Sequence, residues 1–334
     1  GPCTSATIAA RYRSLLEFYC RHSGGSKEFI DWQGHDFSYR GMYGDYAAAL
    51  SGAGHLLSFK GTDTIPAIDF LEEFYSGRPE EIGGSVPATE HSVMCMGTKE
   101  NEIETYRRLI TKVYPSGIAS IVSDTWDYWN VLTNILPALK NEIMAREGKV
   151  VIRPDSGDPV LIITGDPDAP RGSPANKGSY QLLWETFGGT KHTHEGTEYK
   201  LLDPHVGLIY GDSITLEIAN EICARLLRQG FVPNMVFGIG SYTYQMTTRD
   251  TFGFALKSTA GMVNGELREI FKDPVTDDGT KKSAKGLITV DGDMKLKQVK
   301  TLDEVKLGAF KCVFKNGVNN NFQTLAQIRK LLHG

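Results

Sequence analysis

IASIVSDTWDYWNVLTNILPALKNEIMAREGKVVIRPDSG, residues 118–157, reads as a strand, a helical stretch and a second strand. Each strand is a short apolar run ending in polar residues, and the stretch between them has the length and composition of a helix. Such a unit makes its two strands parallel, with the helix as crossover. The same beat recurs in HDFSYRG (35–41), HLLSFKGTDT (55–64), SVPATEHS (85–92), VGLIYGDS (206–213), NMVFGIGS (234–241) and GFALKST (253–259). After GDS, Ile214, Ile218, Ile222 and Leu226 fall on one helical face, and Ser213 and Asp124 stand where N-caps belong.

Eight such beats predict a closed (β/α) barrel rather than an open doubly wound sheet. In a barrel the polar residues at the C-terminal strand ends line the active face. That rule gathers Arg40, Asp63, Glu90, His91, Asp124, Arg153, Asp155, Asp212 and Ser241. For any one of them a cap or turn role weighs as much as function. Eight strand ends together favour function.

Two regions break the beat. Residues 161–200 are rich in Gly, Pro and Asp and read as a long excursion with one helix, GSYQLLWETFG. His192, His194 and Glu195 lie in it; without supporting ligands a solvated loop is the better reading than a metal site. Beyond residue 285, GLITVDGDMKLKQV and FKCVFKNGV read as hairpins and TLAQIRKLL as a short helix. The expected organisation is a helical lead-in (1–34), a barrel (35–284) and a β-rich segment of an accessory domain (285–334).

Composition bounds the function. A chain of 334 residues, 40% hydrophobic and 23% charged, is an ordinary globular protein of one large domain or two. A net charge of -4 argues against a nucleic-acid or membrane-surface binder. No apolar run approaches the roughly 20 residues that span a bilayer. Cys3, Cys20, Cys95, Cys223 and Cys312 are odd in number and form no CxxC pair, which fits reduced cytoplasmic thiols.

The chemistry falls into three groups. Gly238 and Gly240 in VFGIGSYTYQMTTRD stand between a strand and a helix start, where backbone N–H groups meet anions. The loops after the last barrel strands often bind phosphate, and Arg249, Lys257, Lys272 and Lys281 follow. Taken singly these are ordinary surface charges; two or three converging on one phosphorylated ligand is the stronger reading. Asp124, Asp155 and Asp212 close three strands, a set that can hold sugar hydroxyls, magnesium on a diphosphate, or a cationic transition state. Helix capping competes most strongly at Asp124. Phe37, beside Arg40, is either core or a stacking platform for a flat ring. From residues alone this is a barrel enzyme acting on a sugar phosphate, with its substrate open.

The motifs HDFSYRG, SFKGTDT, SVPATEHS, IVSDTWD, IRPDSGDP, YGDS, TRD and FKDPV occur in the order found in the nicotinamide phosphoribosyltransferases. The resemblance, to type II phosphoribosyltransferases, runs from about residue 5 nearly to the C-terminus. It implies an irregular α/β barrel with a β-rich accessory domain, and transfer of phosphoribosyl pyrophosphate onto nicotinamide to give nicotinamide mononucleotide and pyrophosphate. Phe37 would then stack on the pyridine ring with Arg153 beside it, and Asp63 would accept the carboxamide N–H. Asp155 would bind ribose hydroxyls near Asp124 and Asp212. Arg40, Arg249, Lys257, Lys272 and Lys281, with the backbone of Gly240 and Ser241, would hold phosphates. Ser120 and Gly211 complete the expected substrate contacts. His91 matches the family's phosphorylated histidine, charged by ATP as co-substrate. Glu90 matches a neighbour of the magnesium, which is held mainly through pyrophosphate.

The chain departs from the pattern at Ser241, where the family carries glycine, and around Lys281, where DDGTKKSAKG fits loosely. Family chains also begin well upstream of HDFSYRG. The expectation is a homodimer with shared active sites, or association with a chain carrying that portion, weak activity alone, and exposed edges in the β-rich tail. A nicotinate-specific relative, a silent binding subunit and an aldolase-type barrel using Lys60 or Lys257 are the competing readings, against which Asp63 and the intact motif set argue.

Overall fold

In the computed structural model the described residues are 1–211, 214–248, 251, 256–276 and 283–333, with the side chains of Arg329, Leu332 and His333 outside the description. They form two compact units: residues 1–257 with 272–282, and residues 258–271 with 283–334.

The first unit is built on β1 (Gly34–Asp36), β2 (Gly61–Thr62), β3 (Ser116–Val122), β4 (Glu147–Arg153), β5 (Gly189–His194), β6 (Thr197–Leu202), β7 (Val206–Tyr210) and β8 (Val236–Ile239). Six of them make one sheet in the order β2-β1-β8-β7-β4-β3, every neighbour parallel. The two edges are joined by the third beat of the sequence. Gly84 bridges Gly61 beside β2, and Ala88 bridges Ser120 in β3. The Thr62 N–H donates to the Gly84 carbonyl at 3.0 Å and the Thr89 N–H to the Ser120 carbonyl at 2.9 Å, so the sheet closes on itself.

SVPATEHS is therefore a spacer two bridges long rather than a full strand; Pro87 has no N–H to give a ladder. The second beat contributes only Gly61–Thr62 because the helix Asp45–Leu56 occupies its start. Of the eighth, residues 253–255 lie outside the described residues and 256–259 form no strand. The ring thus has seven described positions rather than eight, which makes it an irregular barrel.

Alternation along β4 sorts the barrel's two faces. Val150 and Ile152 are fully buried against the outer helices, whereas Lys149 and Val151 line the lumen. The long stretch after Asp124 is helical but broken: Tyr128–Asn130, a π turn Val131–Ile135, then Leu136–Ala138 and Lys140–Met144. Pro137 cannot donate to a carbonyl one turn back, and the widened turn just before it absorbs the defect. The caps also differ from expectation. Asp127, not Asp124, caps Tyr128–Asn130, and Thr215 caps Leu216–Arg228; Ser213 lies outside the described residues.

The segment read as a lead-in belongs to the core. The helix Pro2–Ser23 buries Ala9, Tyr12 and Leu16, and the Tyr12 ring sits 6.4 Å from Phe59 and 6.1 Å from Phe237. The excursion holds the helix Pro174–Phe187 and the antiparallel β5–β6 hairpin, in which His192 hydrogen-bonds the Ser23 carbonyl.

The second unit contains three antiparallel hairpins: β9 (Ala260–Val263) with β10 (Glu266–Glu269), β11 (Leu287–Val290) with β12 (Leu296–Val299), and β13 (Phe314–Lys315) with β14 (Val318–Asn319). Helices Leu302–Lys306 and Leu325–His333 complete it. Its first hairpin precedes residue 285, so this unit begins earlier in the chain than its sequence rhythm suggests.

Candidate active site

The barrel encloses a cavity of about 370 Å³ lined by Phe37, His35, Asp63, Ser85, Ser120 and Val151 among others. Phe37 follows β1 and enters the lumen because two facing residues have no side chain. A Cβ on Gly238 would lie 2.6 Å from the Phe37 ring, and one on Gly211 3.4 Å from it. Gly238, read from the sequence as part of a phosphate turn, is thus a packing residue. The Arg153 guanidinium lies 5.1 Å from the Phe37 ring centroid and 3.8 Å from Asp155. The Arg153 charge thus lies over the face of the Phe37 ring, an attractive cation–ring contact.

Asp63 forms the polar wall. Its Oδ1 accepts from His35 Nε2 at 2.8 Å and from the Ser85 hydroxyl at 2.6 Å. Burial alone would raise this carboxyl, but the His35 and Ser85 hydrogen bonds and the Arg153 charge outweigh it and hold it below its ordinary value. Asp63 is an anion at neutral pH. The sequence reading missed His35 and Ser85 as site residues, although both lie inside quoted motifs. His35 sits two residues before Phe37 on the same face of β1, and that alternation was the available signal.

His91 is the first residue of the helix His91–Gly97. Its Nε2 lies 3.0 Å from Asp124 Oδ1, and Asp124 is fully buried. Burial pushes Asp124 up, but the hydrogen bond and charge of His91, the Ser156 hydroxyl and the charge of Lys272 outweigh it, and the carboxyl stays below its usual range. A carboxylate can only accept, so it is Nε2 of His91 that carries the hydrogen in this pair. Asp124 Oδ2 is buried without a donor at bonding geometry. Glu90 is the N-cap of this helix: its carboxylate accepts from the Ser92 N–H at 2.9 Å. The cap gives the exposed Glu90 a local duty alongside the place near magnesium that the resemblance implies for it.

The phosphate candidates divide. Gly240 precedes the short helix Ser241–Gln245 and has open space in front of its Cα. Ser241 is buried, donates to the Thr247 carbonyl at 2.9 Å, and packs so closely on Gly41 that a Cβ there would strike its hydroxyl. This brings the turn after β8 onto the turn carrying Arg40, which is exposed. The Lys272 charge is close enough to act on Asp124, and Lys257 is exposed. Asp212, Arg249 and Lys281 lie outside the described residues. Lys60, the aldolase-type candidate, pairs with Asp31 at 3.2 Å and is not among the residues lining the lumen cavity. Among the described residues no three His, Cys, Asp or Glu side chains form a metal cluster, and no helix is long and apolar enough to cross a membrane.

Comparison with known proteins adds the family. Residues 32–318 match a model of the nicotinate phosphoribosyltransferase (NAPRTase) family. A nicotinamide phosphoribosyltransferase of Acinetobacter baylyi is 56% identical over 98% of this chain and 66% of its own length. One from Mycoplasma pneumoniae is 38% identical over 85% of this chain and 59% of its own. One from Xanthomonas campestris is 34% identical over 98% and 68%. The chain therefore spans about two thirds of the length of these relatives.

Proposed function

This chain belongs to the nicotinate phosphoribosyltransferase family, and from that premise we propose that it transfers the phosphoribosyl group of phosphoribosyl pyrophosphate to nicotinamide in NAD salvage. The observation that carries the choice of base is Asp63, an anion fixed on the cavity wall by His35 and Ser85. A carboxamide N–H donates to it. A nicotinate carboxylate in the same pose sets two anions side by side, a penalty of about 1–4 kcal/mol at the effective dielectric of such a site. The family description names nicotinate, and the acid-specific reading is the alternative to be tested.

In this reading the pyridine ring lies on Phe37 with Arg153 beside it. The ring nitrogen forms a bond to the anomeric carbon while the carbon–oxygen bond breaks, its electron pair leaving with pyrophosphate. Asp155 and Asp124 offset the positive charge that spreads over the ribose. Arg40 and Lys272, with the Gly240–Ser241 turn, hold phosphates; Lys257, Arg249 and Lys281 stay in the proposal as further cations. Positioning supplies much of the rate, since the protein donates no electrons. Magnesium would enter mainly on the pyrophosphate, where it would neutralise the diphosphate charge; the unpartnered Asp124 oxygen and the exposed Glu90 carboxylate are the side-chain donors that would help hold it.

ATP charges His91. Nδ1 attacks the terminal phosphorus, the bond to ADP breaks, and Asp124 balances the positive charge left on the ring. A homodimer sharing its active sites is part of the same reading, tested by measuring mass in solution. The decisive assay compares nicotinamide with nicotinate for the wild type and Asp63→Asn. The wild type is expected to prefer nicotinamide, and Asp63→Asn to narrow the preference at least tenfold. Equal turnover of both bases by the wild type overturns the choice.

A further inference from the structure

The lumen cavity has a second polar end that phosphoribosyl transfer does not use. Lys149, Val151 and Arg153 alternate along β4, and Lys149 lines the cavity four residues before Arg153. Its stem passes directly over Gly207, where a Cβ would lie 3.0 Å from Lys149 Cδ. Its ammonium sits 5.5 Å from the centroid of the Phe29 ring. Trp32 and Ile118 also line this end, and Trp32 is 44% exposed, so the cavity reaches the surface there.

A cation drawn into a mostly apolar cavity ordinarily has a carboxylate partner. Among the described residues no carboxylate pairs with Lys149, and burial pulls the pKa of its ammonium down. Phe29 offers only the face of a ring. We propose that this end of the barrel is a binding subsite for a small aromatic monocarboxylate, whose anion pairs with Lys149 while its ring packs against Phe29 and Trp32. The apolar walls select against a fully hydrated anion such as phosphate, which would lose its water without compensation. An aromatic acid repelled by Asp63 at one end of the lumen thus finds a cation at the other. The subsite stands on Lys149 and the cavity, independently of the reaction proposed above.

Benzoate is the probe, titrated calorimetrically into the wild type and Lys149→Met, with inorganic phosphate and nicotinamide in parallel. Met keeps the length and the apolar stem, and removal of an uncompensated charge is expected to raise the melting temperature of the ligand-free protein, which guards against misfolding. The expected result is benzoate binding to the wild type, at least tenfold weaker binding to Lys149→Met, no Lys149-dependent phosphate binding, and nicotinamide affinity within twofold between the two proteins. Equal benzoate affinity in both, no wild-type binding at about 10 mM, or Lys149-dependent phosphate binding overturns the subsite. Loss of nicotinamide binding to the wild type would instead count against the proposed reaction and leave the benzoate result standing.

Discussion

At the scale of single residues, the site works by fixing charges and tautomers. Asp63 and Asp124 are each partnered by a histidine, His35 and His91, at 2.8 and 3.0 Å. Both carboxyls are held below their ordinary values, so both are ionised through the neutral range and lose their charge only as pH falls below the usual carboxylate value of about 4. The pairing at His91 yields a prediction. His91→Ala should keep a weaker synthesis and lose its ATP stimulation. Asp124→Asn, which removes the anion facing Nε2, should cut ATP-stimulated turnover by roughly a hundredfold, as expected when a proton-holding partner is lost. ATP stimulation unchanged in His91→Ala removes that residue from the mechanism. Much of this was legible in sequence: Phe37, Asp63, Arg153, Asp155, Asp124 and His91 all end strands or follow them. Glu90 shows the limit, because a glutamate before a helix start does not announce its cap in sequence, and only the hydrogen bond from Ser92 reveals it.

At the scale of elements, the helix Glu102–Arg108 carries a strained group behind the site. Glu102 is 5% exposed, its Oε1 has no partner, and burial followed by the Asp127 charge raises its pKa to about 7. The folded protein therefore holds a proton between the ordinary glutamate value and about 7 that the unfolded chain has released. Stability then falls as pH rises through that window and stays lower above it. Glu102→Gln should stabilise the protein by roughly 1–3 kcal/mol at pH 8 and by little near pH 5. A melting temperature unaffected by the substitution at pH 8 would show Glu102 to be hydrated. Strand lengths were less legible than strand positions. Gly61–Thr62 and the bridges at Gly84 and Ala88 are too short to carry a period, and only closure of the sheet gives them meaning.

At the scale of the whole molecule, the helix Pro2–Ser23 is the element whose weight the chain's rhythm hides. Ala9, Tyr12 and Leu16 are 0–2% exposed in the same core as Phe59 and Phe237. Removing side chains as large as Tyr12 and Leu16 costs about 2–5 kcal/mol each, and a domain's total stability is about 5–15 kcal/mol. Deleting residues 1–23 should therefore abolish cooperative unfolding of the barrel unit, read by thermal melting. A deletion variant that still melts sharply near the parent temperature would reduce this helix to a surface addition.

The sequence by itself determined the alternation of strands and helices, the parallel order that follows from it, and the set of polar strand ends, because these depend on local periodicity. Tertiary structure alone decided the rest. Closure through Gly84–Ala88 and the entry of Phe37 over Gly238 depend on which backbones meet, as does the pairing of His91 with Asp124 across 33 positions. The placing of Lys149 and Asp63 on the wall of one lumen has the same origin. Contacts between residues far apart in the chain leave no mark on local pattern, since each partner satisfies only its own segment's rules until the barrel brings them together.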